Sequence, residues 1–194
     1  MGKSKNCYDH FVPHPRYGKG PRLTGLNPEL DGTGRLFFHW HSARRIENTA
    51  VAADLAKQPP ACIPVTHYFD VIRQCRDCQR SFIFFALEQK YWYEELGFVL
   101  DADCDRCVPC RKQQQGLQRQ RERYEALFHQ PHRSVSQNLE MATCCLALIQ
   151  AGLFSLQQSG RVRMLLKRVM AVASGEELAI ANRLWQVLLG LEKA

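Results

Sequence analysis

The sequence predicts an α+β protein in which a small cysteine-knuckle module lies between an extended N-terminal arm and a C-terminal antiparallel helical bundle. Three observations predict it. Two Cys-x-x-Cys pairs stand 28 residues apart near the middle of the chain, residues 1–35 are dense in proline and glycine, and three amphipathic stripes follow residue 134. A chain of 194 residues is long enough to bury a core, and its 45% hydrophobic and 23% charged residues are ordinary for a globular protein. The expected division is 1–60 for the arm and short connecting elements, 61–115 for the module, and 116–194 for a basic helix and a three-helix bundle.

Pro13, Pro15, Pro21 and Pro28, interspersed with Gly18, Gly20 and Gly25, prevent regular helix and favour an open, turn-rich backbone. The apolar run Leu36–His41 reads as a short strand. Residues 43–57 read as a helix, with Ile46, Ala50, Ala53 and Ala56 near helical spacing, ended by Pro59 and Pro60. Val71 to Gln74 and Ser81 to Phe85 are expected as strands flanking the first knuckle, with Phe82 and Phe84 on one face. Leu87 to Leu96 reads as a helix stopped by Gly97. A polar, basic helix follows Cys110, anchored by Leu117, Tyr124, Leu127 and Phe128 and ended near Pro131. The stripes Leu139/Ala142/Leu146/Ile149/Leu153, Val162/Leu165/Leu166/Val169/Val172 and Leu178/Ala181/Trp185/Leu188 predict the bundle. Ser134/Gln137 and Ser174/Glu177 are expected capping boxes before the first and third stripes.

Nine cysteines, an odd number, argue against a disulfide framework. Their spacing argues for metal. Cys75/Cys78 and Cys107/Cys110 supply four thiolates, the set that closes a tetrahedral structural zinc site and leaves no open position for catalysis. Cys104 forms an alternative pair with Cys107. Pro109 suits the turn of a knuckle, and Asp101, Asp103 and Asp105 disfavour a thiolate at Cys104, so Cys107/Cys110 is preferred. Cys144 and Cys145 read as small buried hydrophobes, and Cys7 and Cys62 have no metal-like spacing.

At these residues the chain resembles a known family. His67-Tyr68-Phe69-Asp70 leads into Cys75-Arg-Asp-Cys78. Ser81-Phe82-Ile83-Phe84, the aromatic helix Glu88-Gln89-Lys90-Tyr91-Trp92-Tyr93-Glu94 and the close Arg106-Cys107-Val108-Pro109-Cys110-Arg111 follow. The pattern is similar to the bacterial family of probable zinc-ribbon domains, over about residues 65–115. The resemblance implies one zinc ion on Cys75, Cys78, Cys107 and Cys110, a treble- or ribbon-type fold, and no settled activity. Two departures stand out: Gln79 replaces the Gly usual after the first knuckle, and the acidic stretch 101–105 replaces a more neutral approach.

His39 and His41 share a strand face, and with His10, His14 or His67 they suggest a second metal site. Without a Cys or carboxylate at ligand spacing, polar side chains at the rim of an aromatic cluster is the preferred reading. Tyr91 and Trp92 are expected in the core, and Glu88, Glu94 and Glu95 on a solvated face. No apolar run reaches the roughly 20 residues that span a bilayer, and the lysine-bearing N-terminus has no apolar segment of a signal peptide, so the expectation is a soluble, cytoplasmic chain with no membrane partner. Asn6 stands where myristoylation wants Ser or Thr. No nucleophile–base motif is present, so the chain is expected to be non-enzymatic.

The formal charge of +7 and pI near 9.0 point instead to an anionic partner. Arg16, Lys19 and Arg22 on the arm, with Arg111, Lys112, Arg119 and Arg123 after the second knuckle, are the candidate phosphate contacts to RNA or DNA, alone or in a ribonucleoprotein, and Tyr17 is available to stack on a base. The alternative is a protein-interaction adaptor whose helical bundle docks a partner on a zinc-ribbon scaffold.

Overall fold

The computed structural model describes residues 7–28, 44–60 and 65–193. The strand expected at 36–41, His39, His41 and Cys62 lie outside these residues. The chain divides into two compact units, Met1–Arg111 and Lys112–Ala194.

The first unit contains β1 (Arg44–Arg45), β2 (Val51–Ala52), β3 (His67–Tyr68), β4 (Val71–Gln74), β5 (Ser81–Phe84) and α1 (Ala86–Lys90). A three-stranded antiparallel sheet runs β1-β4-β5, and β2 pairs with β3. Alternation along β5 sets the core. Phe82 and Phe84 pack with Val12, Cys75, Cys104 and Cys107, while Ile83 and Phe85 pack with Phe11. The arm is therefore part of the core: Val12 N–H donates to the Ser81 carbonyl at 2.8 Å, and Phe11 and Val12 are buried.

The helix expected over 43–57 does not form. Asn48 takes a left-handed φ of +59°, and Val51 and Ala52 pair with Tyr68 and His67. Local alanine propensity yields there to strand pairing and to Thr24, whose hydroxyl donates to the Ala50 carbonyl at 2.9 Å. Asp70, 1% exposed, ties three segments together. One carboxylate oxygen accepts from Ala86 N–H and the other from Arg22 N–H, each at 2.7 Å, while its own N–H donates to the Thr49 hydroxyl at 3.0 Å. Burial pushes its carboxyl above the usual range, and the two N–H groups draw it back only in part.

After Lys90, α1 continues as a π-helical turn, Tyr91–Glu95, with Leu96 N–H donating to the Tyr91 carbonyl at 3.0 Å. Gly97, at φ +67°, follows as expected. The wider turn alters which aromatics face inward. Tyr93 is buried against Tyr68 and donates to the Ala102 carbonyl at 2.7 Å, whereas Tyr91 is 49% exposed. The expectation of a solvated acidic face fails for the same helix. Glu88 and Glu94 are buried and only Glu95 is exposed. Glu94 accepts from Asp54 N–H at 2.8 Å and pairs with Lys90 at 3.1 Å, which holds the β2 end of the unit.

The second unit holds the greater part of α2 (Val108–His129), then α3 (Val135–Gln150), α4 (Ser159–Met170) and α5 (Gly175–Lys193). Most members of the three predicted stripes supply its core, with Leu146, Leu165, Leu166 and Leu188 fully buried and joined by Leu148, while Leu153 and Val172 at the stripe ends are exposed. Tyr124 and Leu127 join them from α2, so the basic helix contributes a fourth wall to the bundle. The Ser134/Gln137 capping box is complete, with Gln137 N–H donating to the Ser134 hydroxyl at 3.2 Å and Ser134 N–H to the Gln137 side chain at 2.9 Å. The second box is absent. Gly175, at φ +59°, opens α5, and no bond joins Ser174 to Glu177. Among the described residues, no helix is long and apolar enough to cross a membrane.

Candidate metal centre

The first knuckle is the hairpin between β4 and β5. Cys75 N–H donates to the Arg80 carbonyl and Gln79 N–H to the Cys75 carbonyl, both at 2.9 Å, so the turn closes on itself. Gln79 has φ +58°, the left-handed region in which a side chain crowds its own backbone. That is why a Gly is suited to this place. Here the Gln79 side chain compensates by donating to the Arg76 carbonyl at 2.7 Å, and Gln74 donates to the Gln79 carbonyl at 3.1 Å.

The second knuckle opens α2. Cys107 precedes the helix, Pro109 stands in its first turn where a missing N–H costs nothing, and Cys110 follows on that turn. Cys107 N–H approaches the Cys75 sulfur at 3.4 Å, and the Cys78 and Cys107 sulfurs are 3.8 Å apart. The four sulfurs of Cys75, Cys78, Cys107 and Cys110 all lie within 4.8 Å of one another. A tetrahedron with metal–sulfur bonds of about 2.3 Å has edges of about 3.8 Å, so the sulfurs stand where one zinc ion would hold them. Among the described residues they are the only such group.

Polar contacts lock the two knuckles together. Arg76 N–H donates to the Asp105 carbonyl at 2.8 Å. Arg106 reaches Asp77 at 2.9 Å and Asp105 at 3.2 Å, and Arg73 pairs with Asp103. The acidic stretch thus answers arginines of the site. Burial pushes the Cys75 thiol up, but N–H groups of Cys78, Cys107 and Asp77 outweigh it and bring the group to about 6, which favours the ligating thiolate. Burial raises Cys107 and Cys110, a tendency that a bound cation reverses.

Cys104 is not a fifth ligand. It is 1% exposed, its thiol donates to the Arg106 carbonyl at 3.3 Å, and burial pushes it up to about 12. Cys104→Ser should therefore keep one zinc per chain while Cys110→Ser loses it. Metal analysis of the two purified variants checks this, and the reverse result would move the knuckle to Cys104/Cys107.

The predicted basic residues are placed unequally. Arg16 and Arg22 are exposed, each 5.6 Å from the Tyr17 ring centroid, and Lys19 is exposed and bonded to the Asp9 carbonyl. Tyr17 stacks on His14 at 4.6 Å. Lys112 and Arg119 are exposed with no ion pair among the described residues. Arg123 is held by two bonds to Glu140, at 2.7 and 2.6 Å. Arg111 is turned inward. It bonds Glu88 at 2.5 Å and lies 4.8 Å from the Trp92 ring centroid. His14 completes this group. Its Nδ1 accepts from the N–H groups of Arg16 and Tyr17, which leaves the proton on Nε2, 3.5 Å from Glu88. Sequence reasoning missed this network because its members are distant in the chain: Glu88 and Trp92 belong to the aromatic-helix pattern, Arg111 to the close of the second knuckle, and His14 to neither.

Residues 69–119 match the family model described as "Probable treble clef domain". The helix bearing the second knuckle agrees with that description, and the four cysteines within it form a structural zinc site. No curated protein and no solved structure matches the chain.

Proposed function

From a treble-clef zinc module joined to a basic helical unit, we propose that the chain is a non-enzymatic nucleic-acid-binding protein, acting on RNA or DNA alone or within a ribonucleoprotein. One observation carries this reading: the positive charge is concentrated in the helical unit. Residues 112–194 hold eleven Lys and Arg against six Asp and Glu, a net +5, whereas residues 1–111 hold fifteen against thirteen, a net +2. Lys112, Arg119, Lys167, Arg168 and Arg183 are exposed with no ion pair among the described residues, so their charge is available to phosphates. The zinc supplies rigidity and no chemistry, because four cysteines fill its coordination.

Binding of this kind weakens steeply with salt, with log K falling by about 0.9 per log unit of salt for each duplex phosphate contacted. Titrating labelled RNA, single-stranded DNA and duplex DNA at low and physiological salt tests it. Failure to retain any of them at low salt removes the reading.

A second reading, a protein-interaction adaptor, is favoured by α5. Of its apolar residues only Ala181 and Leu188 are buried, while Ile180, Leu184, Trp185, Val187 and Leu191 are partly covered. This reading expects binding that is insensitive to salt and lost on apolar-to-polar changes in α5.

A further inference from the structure

We infer that the middle of α2, residues 112–123, is a duplex-DNA-reading helix, with Lys112 and Arg119 on the phosphates and its glutamines at the base edges. This rests on the nucleic-acid reading above and specifies its surface and its ligand.

Composition comes first. The twelve residues comprise five glutamines, three arginines and one lysine against one glutamate, with Leu117 their single large apolar residue. A helix that is polar nearly all round needs a reason to persist. Here Gln118 donates to Glu122 and Arg121 to Glu125, each at 3.0 Å and four residues apart, which supports the helix, and the second of these bonds also pairs the Glu125 charge. Only Leu117 and Gln120 are even half-buried, and the other ten are exposed. An exposed stretch of this length is about 18 Å of helix, enough to lie in a major groove about 12 Å wide. Glutamine and arginine are side chains that read adenine and guanine edges there. The deep, narrow major groove of duplex RNA does not admit a helix, which sets the choice of DNA.

Gly116 adds a second, independent observation. It stands in the interior of α2 with no positive φ, and a Cβ built on it meets nothing within 4 Å. Glycine weakens a helix interior relative to alanine, and nothing inside the fold requires it here. Lys112, Gly116 and Arg119 step by four and three along one face, so the gap over Gly116 lies between the two unpaired cations. A missing side chain at that point lets a DNA backbone approach the helix closely. Arg123, next along the stripe, is occupied by Glu140.

The test uses the full zinc-loaded chain and fluorescence anisotropy with short duplex DNA, duplex RNA and single-stranded RNA. Duplex DNA should bind tightest. The double reversal Lys112→Glu with Arg119→Glu should weaken it at least tenfold and lower the salt slope by about one per phosphate contact removed. Gly116→Leu should raise the thermal midpoint, because leucine is the better helix former, and still weaken DNA binding, a combination that misfolding does not produce. Lys167→Glu with Arg168→Glu on α4, which contribute only longer-range charge, should weaken binding less than the α2 pair does. If the α4 pair abolishes binding and the α2 pair does not, nucleic-acid binding stands and the α2 assignment falls. Preference for either RNA over duplex DNA also overturns it, and no binding to any probe overturns both readings.

Discussion

Cys75→Ser is expected to lose zinc and unfold the treble clef while leaving α3, α4 and α5 helical. Cys75 ligates from the end of β4, is fully buried and accepts the Cys107 N–H, so serine removes a metal bond and the contact that joins the knuckles. Metal binding in small zinc modules is worth on the order of 10 kcal/mol, comparable to the whole net stability of a domain. The helical unit has its own core of leucines, valines and cysteines. Circular dichroism should therefore retain most of its helical signal while metal content falls to zero. A variant that keeps its zinc, or one that loses all helicity, contradicts this account.

Arg111→Ala should destabilise the zinc-loaded protein by about 3 kcal/mol, the usual result of removing one partner from a buried ion pair. The side chains of Arg111 and Glu88 are only 20% and 10% exposed. Glu88 Oε2 already lacks a hydrogen-bond partner among the described residues, so removing the guanidinium leaves the carboxylate poorly answered. His14 Nε2 alone would remain. The double variant Arg111→Met with Glu88→Met should cost much less, because no charge is left buried. Denaturant midpoints of the three proteins check this, and equal losses for the single and double variants would show that packing against Trp92, rather than charge, is what matters.

The parts of the fold legible in the sequence are those fixed by neighbours in the chain. The Cys-x-x-Cys pairs, the alternation of Ser81–Phe84, the Ser134/Gln137 box and the bundle stripes each express a period or spacing within a few residues. What escaped depends on partners far away. Val51 and Ala52 became a strand because His67 and Tyr68 lie opposite them. Phe11 and Val12, isolated among prolines and polar residues, gave no sign that β5 would bury them. Arg111 read as a surface cation because its counter-charge, Glu88, lies 23 residues earlier. Tyr91, expected in the core, is exposed while Tyr93 is buried, because a π turn breaks the regular helical period. The zinc ligands were recoverable because a metal forces close spacing onto the chain.

The stitching of the arm onto β5 and Asp70 bears on where this protein can be cut. A fragment trimmed to the family-matched stretch 69–119 would keep every zinc ligand. It would lose Phe11 and Val12 from both faces of β5, the strand that flanks β4, and the Arg22 N–H that satisfies Asp70. Such a fragment should bind metal yet clump in solution, with Ile83, Phe85 and a bare sheet edge uncovered. Limited proteolysis of the intact chain should spare the peptide bonds around Val12 despite the surrounding prolines and glycines. The smallest soluble zinc-loaded piece of the first unit is expected to begin before Tyr8.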